Sequence, residues 1–114
     1  MISAAKALHA LRDAGLIGEW QRERVDASFD EGGSLMETQF RIEPAPDGKK
    51  LTVDNEVYGK RAFLYFRCQS EEIAAIASTA LKMAGGEPDF RWYPGNDRYF
   101  DMRVSYFKGC RWWE

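Results

Sequence analysis

The sequence predicts an α+β fold: an antiparallel sheet with two helices packed on one face, in the order α-β-β-β-β-α-β-β. Three observations lead there. Apolar residues recur at three- and four-residue spacing in two stretches only, around residues 2–14 and 70–84. Between and after those stretches the apolar period drops to two, as half-buried strands require. The strands follow one another through short connections, which predicts a four-strand meander and then a C-terminal hairpin. At 114 residues the chain is read as one domain, long enough to bury most of its apolar surface.

In the first helical stretch Ser3 is a candidate N-cap. Ala4, Ala7, Leu8, Leu11 and Ala14 form a narrow apolar stripe, and Gly15 suits the positive-φ position that ends a helix. Leu16 and Ile17 are expected to fold back onto the same core. From about Glu23 the period is two: Val25, Ala27 and Phe29 alternate with charged residues, and Gly32-Gly33 offers a hairpin turn. Met36, Thr38, Phe40 and Ile42 continue the alternation until Pro44-Ala45-Pro46-Asp47-Gly48 ends it with turn chemistry. A third strand runs from Leu51 to Val57, with Leu51, Val53 and Val57 on one side and Thr52, Asp54 and Glu56 on the other.

The fourth strand, Arg61 to Cys68, is apolar on both sides, with Ala62, Leu64, Phe66 and Cys68 in one row and Phe63 and Tyr65 in the other. The run partly overlaps the sheet signature of ribonucleoprotein domains. However, Arg61 stands where that signature has a stacking aromatic, Lys60 where it has glycine, and four strands precede the second helix.

Ser70 caps the second helix, Glu71 and Glu72 complement its positive end, and Ile73, Ile76, Ala77, Ala80, Leu81 and Ala84 trace its apolar stripe. Gly85-Gly86 stops it and Pro88 prevents a restart. The last quarter, Glu87 to Glu114, holds nine of the sixteen aromatic residues. It reads as a hairpin around Pro94-Gly95-Asn96-Asp97, with Phe90, Trp92, Phe100, Met102, Val104 and Tyr106 facing inward.

Composition narrows function. A net charge of −2 argues against a general nucleic-acid binder. Charge is uneven all the same: residues 19–56 carry ten acids against five bases. No apolar run approaches the length of a membrane span, and the N-terminus lacks the order of a secretion signal. Two cysteines do not make a disulfide framework, so cytoplasmic residence is expected. The Ala, Arg and Gly usage is compatible with a GC-rich bacterial or phage genome.

No catalytic or cofactor signature is present: no phosphate loop, no glycine-flanked serine, no paired Cys-x-x-Cys. The single His9 has no second ligand beside it in sequence, so no metal, cofactor or catalytic residue is assigned. Two features suggest a binding role. Asp26, Asp30, Glu37, Glu43, Asp54 and Glu56 are expected on the outer face of the first three strands, where same-sign charge would attract a basic protein. Tyr93, Tyr99, Phe107, Trp112 and Trp113 fall on the outward row or in the tail, and aromatic residues are enriched at interface hot spots.

The expectation is a small non-enzymatic inhibitor or antagonist that binds another protein stoichiometrically. It is of the type of immunity proteins or phage anti-defence proteins directed at a basic nuclease. The alternatives are a dimeric chaperone or adaptor that pairs through the C-terminal hairpin, and a small-ligand or RNA-binding domain using Phe63 and Tyr65.

Overall fold

A computed structural model describes residues 1–24, 38–58, 61–92 and 98–104. The expected element order is present: α1 (Ala4–Asp13), β1 (Trp20–Arg24), β2 (Thr38–Ile42), β3 (Thr52–Tyr58), β4 (Arg61–Cys68), α2 (Glu71–Met83), β5 (Pro88–Trp92) and β6 (Arg98–Val104). The mixed α+β class and the two helices on one sheet face are as the sequence predicts.

Both helices begin and end as their local sequence dictates. Ser3 Oγ accepts a hydrogen bond from Lys6 N at 3.2 Å, and Ser70 Oγ accepts one from Ile73 N at 3.3 Å. Each serine thereby satisfies a first-turn N–H that has no partner within the helix. At the other ends Gly15 and Gly85 take positive φ, 76° and 96°. Leu16 N donates to the Leu11 carbonyl, and Gly86 N donates to the Leu81 carbonyl. Both helices thus close with the same six-to-one bond past a left-handed glycine. Leu16 and Ile17 then turn back into the core.

Sheet order departs from a simple meander. Strands β1 and β2 form their own two-stranded sheet, while the four-stranded sheet has the order β3-β4-β6-β5. The last strand lies inside this sheet, hydrogen-bonded to β4 on one side and β5 on the other. A strand that buries Phe100, Met102 and Val104 on one face gains most from neighbours on both edges. Strand β5 begins with Pro88, which lacks an N–H for a second ladder, and it takes the edge.

The start of the hairpin is also earlier than the period suggests. Strand β1 begins at Trp20, with Trp20 opposite Ile42 and Arg24 opposite Thr38. Its Trp-Gln-Arg-Glu-Arg sequence has no apolar alternation to reveal it. The ladder is prolonged by Gly18 N donating to the Glu43 carbonyl and Glu43 N donating to the Glu19 carbonyl. Trp20 is held between two rings, His9 at 5.1 Å and Phe40 at 5.7 Å, both edge-on. Its buried indole N–H has no hydrogen-bond acceptor among the described residues. Val25, Ala27, Phe29, Gly32-Gly33, Pro94 to Asp97 and Tyr106 lie outside the described residues.

One core serves the helices and the four-stranded sheet. It joins Ala4, Ala7, Leu8 and Leu11 of α1, Ala74, Ala77 and Leu81 of α2, and the buried rows of β4 and β6. Phe66 stacks on Phe100 at 4.6 Å and 17°. Phe40, Ile42 and Val53 pack against its margin. The stripe on α2 is rotated from the expected one: Ala74 is buried, while Ile76 is 43% exposed. Alanines at the contact let α2 lie close to the sheet, so the small side is the one that faces in.

The backbone approaches a core side chain closely at Gly86. A β-carbon there would stand 2.5 Å from Met102 Sδ and 3.1 Å from the Leu81 carbonyl oxygen. Met102 is fully buried, so its thioether would have to shift within the packed core. Gly86→Ala is therefore expected to destabilise the protein by about 1–3 kcal/mol through overpacking. Urea unfolding followed by tryptophan fluorescence checks this, and an unchanged midpoint would contradict the packing described.

Candidate partner-binding face

Strand β4 alternates strictly. Ala62, Leu64, Phe66 and Cys68 are buried beneath the helices, so Arg61, Phe63, Tyr65 and Arg67 point to the opposite face. The same alternation on β6 turns Tyr99, Asp101 and Arg103 that way, against buried Phe100, Met102 and Val104. Both helices lie on the other side. Side chains of this second face are exposed or half-buried: Arg61, Arg67, Arg103, Asp54 and Asp89 are exposed, and Phe63, Tyr65, Tyr99, Asp101 and Glu56 are half-buried.

Strand register sorts these residues into rows across the sheet. Asp54 is opposite Tyr65, Tyr65 is opposite Asp101, and Asp101 is opposite Asp89. The next row sets Glu56 opposite Phe63 and Phe63 opposite Arg103. On the other side Thr52, Arg67 and Tyr99 lie in line. Three carboxylates therefore line up about Tyr65, bordered by arginines on both sides.

Cross-strand neighbours stand about 4.5–5.5 Å apart at Cβ, so Asp89 and Asp101 are like charges at a distance that disfavours them. Phe63 and Tyr65 present neighbouring rings, 6.1 Å between centroids and tilted by 34°. An open depression of about 580 Å³ runs over this region, between Arg61 and Phe63 on one side and Glu87 and Asp89 on the other. The face offers carboxylate acceptors, a tyrosine and two apolar ring surfaces. A cationic side chain flanked by acids would match it.

Of the residues singled out from sequence, Asp54, Glu56 and Tyr99 share this face. Glu43 does not: it follows β2, in the two-stranded sheet, where its carboxylate lies 3.9 Å from Arg41. Arg41 also approaches Glu23 at 3.8 Å. Such exposed pairs contribute little. The expected single acidic outer face is therefore spread over two sheets. Asp26, Asp30, Glu37, Tyr93, Phe107, Trp112 and Trp113 lie outside the described residues.

Sequence reasoning does not single out Asp89, Asp101 or Arg103 as site residues. The alternation of Tyr99, Asp101 and Arg103 with the buried row of β6 marks two of them. Asp89 could be joined to them only once the sheet order was known. His9 is exposed, packed against the edge of Trp20. Among the described residues no group of three His, Cys, Asp or Glu side chains could hold a metal ion. No described helix is long and apolar enough to cross a membrane. Cys68 Sγ lies 3.5 Å from the Ser70 carbonyl oxygen and 3.9 Å from that of Arg98, so its thiol can donate within the core.

No protein-family model, curated protein or solved structure matches the chain. The reading of its function rests on the residues themselves.

The turn before β3 is held electrostatically. Lys50 Nζ lies 2.8 Å from Asp47 Oδ2 and 3.4 Å from the Gly15 carbonyl oxygen, which ties the turn to the end of α1. The hydrogen bond from Lys50 holds the Asp47 carboxyl below its usual range, helped by a backbone hydrogen bond and by the ammonium charge. A lowered folded-state value stabilises the fold only above the ordinary carboxylate pKa, and that contribution disappears as pH falls through the folded value. Lys50→Met is expected to raise the Asp47 midpoint towards that of a free carboxylate, read as the carboxyl-carbon shift in an NMR titration. An unmoved midpoint would mean that Lys50 is not the cause.

Proposed function

We propose that this is a non-enzymatic binding protein that acts stoichiometrically on a basic protein partner, as an inhibitor or antagonist in the manner of immunity or phage anti-defence proteins. The observation that carries the reading is the row Asp54–Tyr65–Asp101–Asp89 on the sheet face opposite the helices. A line of carboxylates with a tyrosine at its centre suits an arginine or lysine side chain. Arginines on either side favour partners that place acids around that cation. Such a surface speeds encounter with a basic protein and rejects an acidic one. Cytoplasmic residence belongs to the same proposal, because a nuclease-type target would be met there.

A second reading has one observation in its favour. The neighbouring rings of Phe63 and Tyr65, with Arg61 and Arg103 close by in register, resemble a stacking platform for bases or a small aromatic ligand. Against it stand Asp54, Glu56 and Asp101 on the strands to either side, which would repel a phosphate backbone. The protein-partner reading ranks first for that reason. The homodimer suggested by Trp112 and Trp113 is an independent matter, decided by mass in solution.

Charge reversal separates these readings. Asp54→Lys with Asp89→Lys changes two exposed positions and is expected to leave stability within about 0.5 kcal/mol. The wild-type protein, tagged and expressed in its native host, should recover a basic protein at one-to-one stoichiometry, and the double variant should lose it. Recovery of no protein partner, or equal recovery by the variant, would overturn the proposal. A tryptophan fluorescence change on adding oligonucleotides, retained or strengthened in the variant, would favour the stacking platform.

A further inference from the structure

A second concave site lies at the end of the four-stranded sheet, where the chain enters β3 and where β4 hands over to α2. It is a cleft of about 530 Å³, within the size range of small-molecule sites. Leu51 and Cys68, both nearly buried, and the half-buried Ile73 are its apolar lining residues. Its rim carries Lys49, Lys50 and Arg67, and no acidic residue lines it among the described residues. The other two described depressions both include carboxylates, Glu19 and Glu43 in one, Glu87, Asp89 and Asp101 in the other. In a chain with more acids than bases, this cleft has the opposite polarity.

The three cations are not equivalent. Lys50 is committed to Asp47 and the Gly15 carbonyl, so it serves mainly as a wall. Lys49 and Arg67 are exposed and make no ion pair among the described residues. Thr52 is directly opposite Arg67 across the β3–β4 ladder, on the same sheet face, and adds a hydroxyl donor. Arginine brings a planar fork that takes two oxygens at once, and lysine a mobile point charge. A single carboxylate would be saturated by the arginine alone. A phosphate has a third oxygen and a second charge for the lysine. The half-buried side of Ile73 would take a ring or short hydrocarbon attached to it.

We infer that this cleft binds a small organic phosphate, with Arg67 and Lys49 holding the phosphoryl oxygens and Ile73 beside the organic part. The acidic row Asp54–Tyr65–Asp101–Asp89 contains none of these residues, and Arg67 alone also borders it. The size of the cleft favours a small ligand over a polymer, and the acids across the adjoining face would repel a long polyanion.

Phenyl phosphate, inorganic phosphate and benzoate, titrated separately at low salt into the ¹⁵N-labelled full chain, distinguish the possibilities. Phenyl phosphate is expected to move the amides of Lys49, Thr52 and Gln69 with a Kd on the order of 1 mM or below, at least about tenfold tighter than benzoate. Inorganic phosphate should move the same amides more weakly. Arg67→Gln should weaken phenyl phosphate by about tenfold, as expected for loss of a charged hydrogen bond, with the remaining amide spectrum unchanged. Equal movement around the exposed Lys6 and Lys82, benzoate binding as tightly as phenyl phosphate, or full binding by Arg67→Gln would each overturn the inference. So would an oligonucleotide that binds the same amides more tightly than phenyl phosphate, since it would make the ligand a polymer.

Discussion

The burial of one side of β4 is the constraint on which the rest of the molecule depends. Ala62, Leu64, Phe66 and Cys68 are each almost fully removed from water, and both helices and β6 meet over them. Burying apolar side chains of this kind contributes about 1.5–3 kcal/mol each for the larger ones, before the entropy of ordering them is subtracted. Because a strand's side chains alternate, committing that row to the core commits Arg61, Phe63, Tyr65 and Arg67 to the other face. The putting of aromatics and arginines on an open sheet surface is thus a consequence of how the core is made.

The two helices reinforce the same asymmetry. Their buried sides are rich in alanine, so they approach the sheet closely and cover one face only. Short-range devices hold them there: serine caps at the start, left-handed glycines at the end, and Gly86 pressed against Met102. What remains outside is a surface whose charge is set by strand register. The acids concentrate in the middle row, arginines border it on both sides, and Lys49 and Lys50 join Arg67 at the sheet end beside α2. A single small domain can in this way present two sites of opposite polarity that meet at Arg67.

Much of the architecture was legible from local signals. Ser3, Gly15, Ser70 and Gly85 act within one helical turn, and their roles follow from backbone hydrogen bonding alone. The alternation in Arg61–Cys68 was readable for a related reason, since neighbours two residues apart must share a face. Less was legible where no such signal exists. Trp20 opens β1 inside a polar run, and its contacts with His9, Phe40 and the core margin account for it. Ile76 fits the apolar period of α2 as well as Ala74 does, yet the sheet selects the smaller residue.

The sequence by itself determined the class of fold, the order of elements and the residues that must alternate between core and solvent. These are consequences of periods and caps, which act over a few residues. Only the tertiary structure decided that β6 lies between β4 and β5, that β1 and β2 form a separate sheet, and that Glu43 is parted from Asp54 and Glu56. Strand order is settled by competition among long-range pairings, each weighed against the entropy of closing its loop, and no short stretch encodes the outcome. The row of Asp54, Tyr65, Asp101 and Asp89 comes from four strands, so it exists only once that competition is resolved.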